Sequence, residues 1–188
     1  MTTIRGGAVR RFDPELQSSG RSEASLSDEW GTPQDLFDRL NARWHFDIDL
    51  AASEDNHKCA RCYTKDDDAL SKTWNDFRAG FQNIPYSRGQ PMAWMTKARN
   101  SVIEFGNTVV SIVPVRTSEK WWHSQVMAPA GALYGVTRPA ENVIVSHYEL
   151  MTVEIEFIKG RVAFVGPSGK KNPARFASAV VAFVGGSR

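Results

Sequence analysis

From Trp30 onward, apolar residues recur with a changing period, and each change marks an element. In "TPQDLFDRLNARW", Leu36, Phe37, Leu40 and Trp44 recur at helical spacing, with Thr32 as an expected N-cap and Pro33 suited to the first turn. "HFDIDLAA" alternates Phe46, Ile48 and Leu50, which reads as a short strand ending in small residues. "DDDALSKTW" reads as a loop or helix start, and "FRAGFQNIPYS" as a short strand broken by Pro85. "PMAWMTKARNSVIEFG" carries Met92, Met95, Ala98, Val102 and Ile103 in helical phase, with Gly106 as its stop. "NTVVSIVPV" is a β-branched run of the kind buried on both faces of a parallel sheet. "EKWWHSQVMAPAG" reads as helical, "TVEIEFIKGRVAFVG" as two short strands joined in a hairpin through Lys159 and Gly160, and "FASAVVAFVG" as a last buried strand. Helix and strand alternate first and a hairpin comes late, which predicts an α/β sheet with an antiparallel strand near its end.

Residues 1–27 show no such periodicity. "LQSSGRSEASLSDEW" is rich in Ser, Gly and charge, and predicts a flexible N-terminal arm ahead of a single domain over 28–188. Hydrophobic content of 41% supplies a core, and a net charge of +2 says little by itself. Its distribution says more. No acid follows Glu156, whereas Lys159, Arg161, Lys170, Lys171, Arg175 and Arg188 all do, so the C-terminal end presents a basic surface or a solvated face. Cys59 and Cys62 form one Cys-x-x-Cys after His57 with no second pair, and a structural zinc site needs four ligands. Free thiols and no metal are expected. No run of about 18 apolar residues is present, which predicts no membrane span and, with no long apolar run near Met1, a soluble intracellular protein.

Three predicted strand ends carry unusual chemistry: Asp49 to Ser53, Asn83 to Tyr86, and Pro114 to Thr117. Ligands of open α/β sheets sit at such ends. Asn83 offers an amide oxygen as acceptor, and the carbonyl of residue 84 offers a second. Pro85 fixes its own φ and holds residue 84 extended. Tyr86 adds a flat face. Two acceptors beside an aromatic platform suit a planar group bearing an NH₂, such as an adenine extruded from DNA. With both amine hydrogens accepted, the nitrogen lone pair is free to attack a methyl donor. The plain alternative is a simple turn that ends a strand.

"WGTP" (Trp30 to Pro33), "FDIDLAAS" (Phe46 to Ser53), "DDAL" (Asp67 to Leu70), Trp74, "NIPYS" (Asn83 to Ser87), "VVSIVPVRTSEKWW", "FIKGRVAF" and "ASAVVAF" follow one another in order. Together they resemble the phage and prophage DNA adenine-N6 methyltransferase family, relatives of Dam in chemistry, from about Trp30 to Val184. The resemblance implies an α/β, Rossmann-like S-adenosylmethionine-dependent methyltransferase fold: a mixed seven-stranded sheet with a late antiparallel hairpin. It implies a cofactor site from Trp30, Thr32, Pro33, Asp49, Ala51, Ala52 and Asn83. Small residues there let backbone approach a ligand, and an acid can hold its ammonium. Asp68 would sit at a later strand end near the cofactor adenine, with Asp66 and Asp67 as alternatives. The implied catalytic group is Asn83, Ile84, Pro85 and Tyr86. The implied setting is the cytoplasm of a bacterial host, with the protein phage- or prophage-encoded.

One departure stands out: the family's Asn-Pro-Pro-Tyr has Ile84 in place of its first Pro. The carbonyl at 84 belongs to the backbone and is kept. Asn83, however, loses its pre-proline restriction, and a branched side chain replaces a ring. Double-stranded DNA is the expected partner, held by Ser87, Arg88, Arg116, Lys159, Arg161, Lys170 and Lys171 around the pocket. Trp121 and Trp122 read as core more readily than as a stacking platform. Only about 25 residues, Pro114 to Arg138, separate the third strand end from the late hairpin, so no large target-recognition domain fits. Two other readings remain: a catalytically impaired nucleic-acid- or cofactor-binding homologue, favoured by Ile84, and a methyltransferase of another amine or amide such as a protein glutamine.

Overall fold

Runs of Val, Ile and Phe with both faces apolar form the middle of a sheet. The computed structural model describes residues 30–128, 135–138, 143–147, 150–166 and 168–186. The expected arm over 1–27 lies outside the described residues. Eight strands share the main sheet: β1 (Ile48–Asp49), β2 (Arg61–Cys62), β3 (Ala79–Asn83), β4 (Thr108–Pro114), β5 (Gly135–Arg138), β6 (Val143–His147), β7 (Met151–Phe157) and β10 (Ser178–Gly185). Their order is β2-β1-β3-β4-β10-β7-β6-β5. The first four are parallel, and β10 then inserts antiparallel between β4 and β7. β8 (Ala163–Val165) and β9 (Lys171–Pro173) form a separate antiparallel pair. Helix α1 (Gln34–Trp44) precedes β1, and α2 (Gln90–Phe105) is the crossover from β3 to β4.

The sheet divides two cores. On one face α2 and a π-type helix, Trp122–Met127, bring Met95, Ala98, Trp122 and Val126 against Val109, Val113 and Val181. On the other, α1 and the β8–β9 hairpin bring Phe37, Leu40, Phe164 and Ala174 against Phe81, Ile112 and Val180. Phe37, Phe46 and Phe81 meet with ring centroids 5.2–5.7 Å apart, each such contact worth about 0.5–1.5 kcal/mol beyond burial. β7 alternates buried Val153 and Ile155 with Glu154 and Glu156, whose carboxylates take Arg43 and Arg39 of α1. Helix α1 is thereby pinned over the strand insertion. Gly80 in β3 is needed for close approach: a Cβ there would lie 2.7 Å from the Leu50 side chain that closes β1.

The structure corrects four expectations. The main sheet has eight described strands rather than seven, because the β-branched run at Val143–Val145 and the segment at Gly135–Arg138 add an antiparallel edge. The expected hairpin through Lys159 and Gly160 does not form. β7 uses both its edges on β10 and β6, so β8 turns away at Gly160 (φ 83°) and pairs with β9 instead. Thr32 is not the N-cap of α1. Pro33 occupies that position in extended geometry, with no side-chain cap. Asp68 does not close a strand: β2 ends at Cys62, and the Asp67 carboxylate binds the Thr64 N–H and hydroxyl at 2.8 and 2.9 Å to shape a turn. Those bonds hold Asp67 below the usual carboxylate range. Asp68 then heads the 3-10 turn Ala69–Ser71 with φ 49°, exposed like Asp66.

Candidate active site

β1 and β3 run side by side, Ile48 opposite Gly80 and Asp49 opposite Phe81, while β2 lies on the other flank of β1. The chain therefore leaves β1 in one direction and returns on the other side. The carboxyl ends of β1 and β3 flank such a switch of direction, where open α/β sheets bind ligands. Asp49 ends β1 and Asn83 ends β3.

Asp49 is 2% exposed. Its Oδ1 accepts the Ala51 N–H at 3.2 Å and its Oδ2 the Lys58 N–H at 3.0 Å. Burial raises its pKa to about 6, outweighing the two amides and the Lys58 and His57 charges that pull it down. The carboxylate thus faces its own loop and shapes the half-buried Ala51-Ala52 turn, whose Ala52 N–H is held by the Tyr63 carbonyl.

Asn83 is clamped from two sides. Its Nδ2 donates to the Trp30 carbonyl at 2.9 Å, and its Oδ1 accepts the Tyr86 hydroxyl at 3.0 Å. This pattern assigns the amide orientation and leaves a lone pair on Oδ1. Ile84 is 2% exposed and points into the core beneath α2. Among the described residues no donor takes up its carbonyl. The ring of Tyr86 meets Phe176 edge-on at 5.3 Å and Phe164 at 6.3 Å, and the Arg116 guanidinium lies 5.4 Å above Phe176. The chain then turns at Gly89 (φ 86°) into α2. Trp30 to Pro33 reaches the site as a strap, fixed by the Gly31–Val165 bridge. Thr32 is buried and, among the described residues, its hydroxyl has no partner. A buried hydroxyl left so costs about 1–3 kcal/mol, which a ligand acceptor or donor would recover. Gln82, buried beside Asn83 in β3, donates from Nε2 to Ser111 at 2.7 Å, and its Oε1 has no partner among the described residues.

The structure brings together Trp30, Asn83, Pro85 and Tyr86, with Asp49, Ala51 and Ala52 at the neighbouring strand end. Arg116 joins this group through Phe176. Arg161 and Lys171 line a cavity of about 380 Å³ with Pro33, Asp35 and Arg39, between the start of α1 and the hairpin. Arg161 also donates to the Ala174 carbonyl at 2.8 Å. Arg88, Lys159 and Lys170 are exposed and Ser87 is half-buried. Trp121 and Trp122 pack edge to face at 5.5 Å, both buried, as core. Cys59 and Cys62 are free thiols, and burial pushes Cys59 up to about 12. Among the described residues no three of His, Cys, Asp and Glu group to hold a metal, and no helix is long and apolar enough to cross a membrane. Sequence reading missed the Trp30 carbonyl, Phe164 and Phe176. A backbone acceptor leaves no trace in composition, and the two Phe residues read as ordinary strand apolar positions.

The family described as DNA N-6-adenine-methyltransferase (Dam) matches residues 19–185. A DNA N-6-adenine-methyltransferase of Escherichia phage T1 is 27% identical over 148 residues, covering 78% of this chain and 58% of that protein. One of Haemophilus phage HP1 is 28% identical over 109 residues, covering 57% and 61%. The chain thus spans about three-fifths of the length of these relatives. No solved structure gives a significant match. With the match running from before Trp30 through β10, the chain belongs to the DNA N-6-adenine-methyltransferase (Dam) family.

Proposed function

We propose that the chain methylates the 6-amino group of adenine in double-stranded DNA, with S-adenosylmethionine as donor, on a Rossmann-like methyltransferase fold in the cytoplasm of a bacterial host. The observation that carries this reading is the Asn83 amide, clamped between the Trp30 carbonyl and the Tyr86 hydroxyl at the carboxyl end of β3. An extruded adenine would give one amine hydrogen to Asn83 Oδ1 and the other to the Ile84 carbonyl, with Tyr86 against its face. Both acceptors draw the amine hydrogens into one plane and leave the nitrogen lone pair directed out of it. No strong base would be required: the methyl–sulfur bond of the donor would break as the new N–C bond forms, and the amine, made acidic by methylation, would lose its proton to water.

The residues present fit the cofactor. The orphaned Thr32 hydroxyl is a buried polar group awaiting a partner, and the Ala51-Ala52 turn carries only methyl side chains, which leave room for a ligand near its backbone. Thr32, Pro33, Ala51 and Ala52 would hold it, with Asp49 organising the loop. When bound, S-adenosylmethionine supplies an electrophilic methyl group. Arg88, Arg116 and the lysines of the β8–β9 hairpin would neutralise DNA phosphates around the pocket.

One alternative has a specific observation behind it: Ile84, in place of the family's Pro, favours an inactive homologue that retains binding. The buried Ile84 side chain argues for an adapted residue instead. The test is incubation with DNA duplexes and methyl-labelled cofactor, followed by nucleoside analysis. N6-methyladenine in the product, lost in Asn83→Ala, is expected. No label in any DNA, with cofactor binding intact, sinks the reading.

A further inference from the structure

The β8–β9 hairpin lies outside the main sheet, yet two of its contacts reach the Asn83–Tyr86 motif. The first runs through backbone. Gly31 N–H donates to the Val165 carbonyl at 2.7 Å, and Val165 N–H returns to the Gly31 carbonyl at 2.9 Å. The carbonyl one residue earlier, on Trp30, is the one that holds Asn83 Nδ2. The second runs through side chains: Phe164, the residue before Val165, and Phe176, just past β9, both meet the Tyr86 ring edge-on. The hairpin thus grips both ends of the hydrogen bond between Tyr86 and Asn83. On its far strand, Lys171 is the register partner of Val165 and Lys170 adjoins it, both exposed. The turn is closed by Gly166 N–H to the Lys170 carbonyl at 3.0 Å and carries Gly169 at φ 75°.

We propose that the β8–β9 hairpin is a phosphate-reading positioning element: DNA backbone phosphates held at Lys170 and Lys171 fix the hairpin, and the hairpin, through Gly31 and Phe164, fixes the Asn83–Tyr86 pair. Binding and positioning are then one event. A duplex seated on the lysines firms the strap whose Trp30 carbonyl orients the Asn83 amide. This deepens the proposed methylation and rests on it for the kinetic readouts alone.

Two experiments on the full chain decide it. In the first, hydrogen exchange is followed at the Gly31 and Val165 amides with and without a mixed-sequence DNA duplex. Slowing by DNA in the wild type, absent in Lys170→Ala/Lys171→Ala, is expected. Equal exchange with and without bound duplex overturns the proposal, and this readout needs no catalysis. In the second, the double variant is assayed at saturating DNA. A several-fold fall in kcat together with a rise in KM and a shallower salt dependence of binding is expected, because two phosphate contacts are lost. A change in KM alone, with kcat kept, reduces the lysines to simple contacts and overturns the coupling. Gly31→Pro, which deletes the N–H without meeting a positive φ, should lower kcat at least tenfold at saturating cofactor and DNA. Gly31→Ala keeps that N–H and has room, its Cβ 3.5 Å from Asn56, so it should restore most of the rate. Equal losses in the Pro and Ala variants count against the bridge. If the wild type methylates no DNA, the functional reading fails while the exchange experiment still decides the coupling.

Discussion

Replacing Ile84 with Pro turns the proposed catalytic tetrapeptide into Asn-Pro-Pro-Tyr, so it tests whether Ile84 is an adapted or a damaging residue. The Ile84 side chain is 2% exposed and sits in the core with Trp94, Met95 and Val113. Trimming a core Ile costs about 0.5–1.5 kcal/mol for one methyl and about 2–5 kcal/mol down to Ala. A Pro ring falls between the two, and its rigidity returns about 0.4–1 kcal/mol through the unfolded chain. The expected net loss is about 1–3 kcal/mol, or roughly 2–4 °C in Tm for each kcal/mol. The rate should follow the anchor. In the proposed reaction the Ile84 carbonyl would be the second amine acceptor, and the buried side chain would hold it. A displacement of about 1 Å can cost around a hundredfold in rate. Ile84→Pro should therefore melt lower and transfer methyl no faster than the wild type. Ile84→Val, which stays buried and extended, should keep most of the rate. Thermal melts beside single-turnover transfer of a labelled methyl group to duplex DNA measure both quantities. A tenfold or greater gain in rate, worth about 1.4 kcal/mol in barrier, at an unchanged melting temperature refutes the anchoring argument.

Three further outcomes follow from the geometry. Tyr86→Phe keeps the ring against Phe164 and Phe176 but drops the hydroxyl on Asn83 Oδ1, so kcat should fall while cofactor affinity, read by calorimetry, holds; an unchanged kcat means the amide needs no such clamp. The Asp49 carboxyl, raised from 3.8 to about 6, binds protons more tightly folded than unfolded, so its contribution to stability is present below about pH 4 and is lost as pH rises to about 6. The full effect is about 3 kcal/mol, and melts of wild type against Asp49→Asn across that window should show the variant's curve flatter; parallel curves exclude Asp49 as the cause. Cys59, held protonated by burial, should react with iodoacetamide far more slowly than Cys62 near pH 8, as peptide mass mapping would show; equal labelling contradicts the buried environment.

The helical phase of Leu36, Phe37 and Leu40, the β-branched run of β4 and the apolar run of β10 were legible because each element buries side chains with its own period. The Asn83–Tyr86 stretch could be proposed as a site from sequence for a related reason: its candidate acceptors and ring lie within four consecutive residues. Pairing was not. Nothing local to "EIEFIKGRVAF" says that β7 is already occupied on both edges, so the obvious hairpin loses to a sheet order decided by residues far away, Val180 opposite Glu156 and Val143 opposite Glu156 on the other side. The N-cap expected of Thr32 failed likewise, because the strap is held by Val165 rather than by its helix. The orientation of Asn83 depends on a backbone carbonyl 53 residues away, and every residue type offers that same carbonyl. Local periodicity therefore determined which segments bury which face, while edges, partners and the aim of the Asn83 amide waited for the tertiary structure, since a hydrogen bond between distant segments leaves no mark on either one alone.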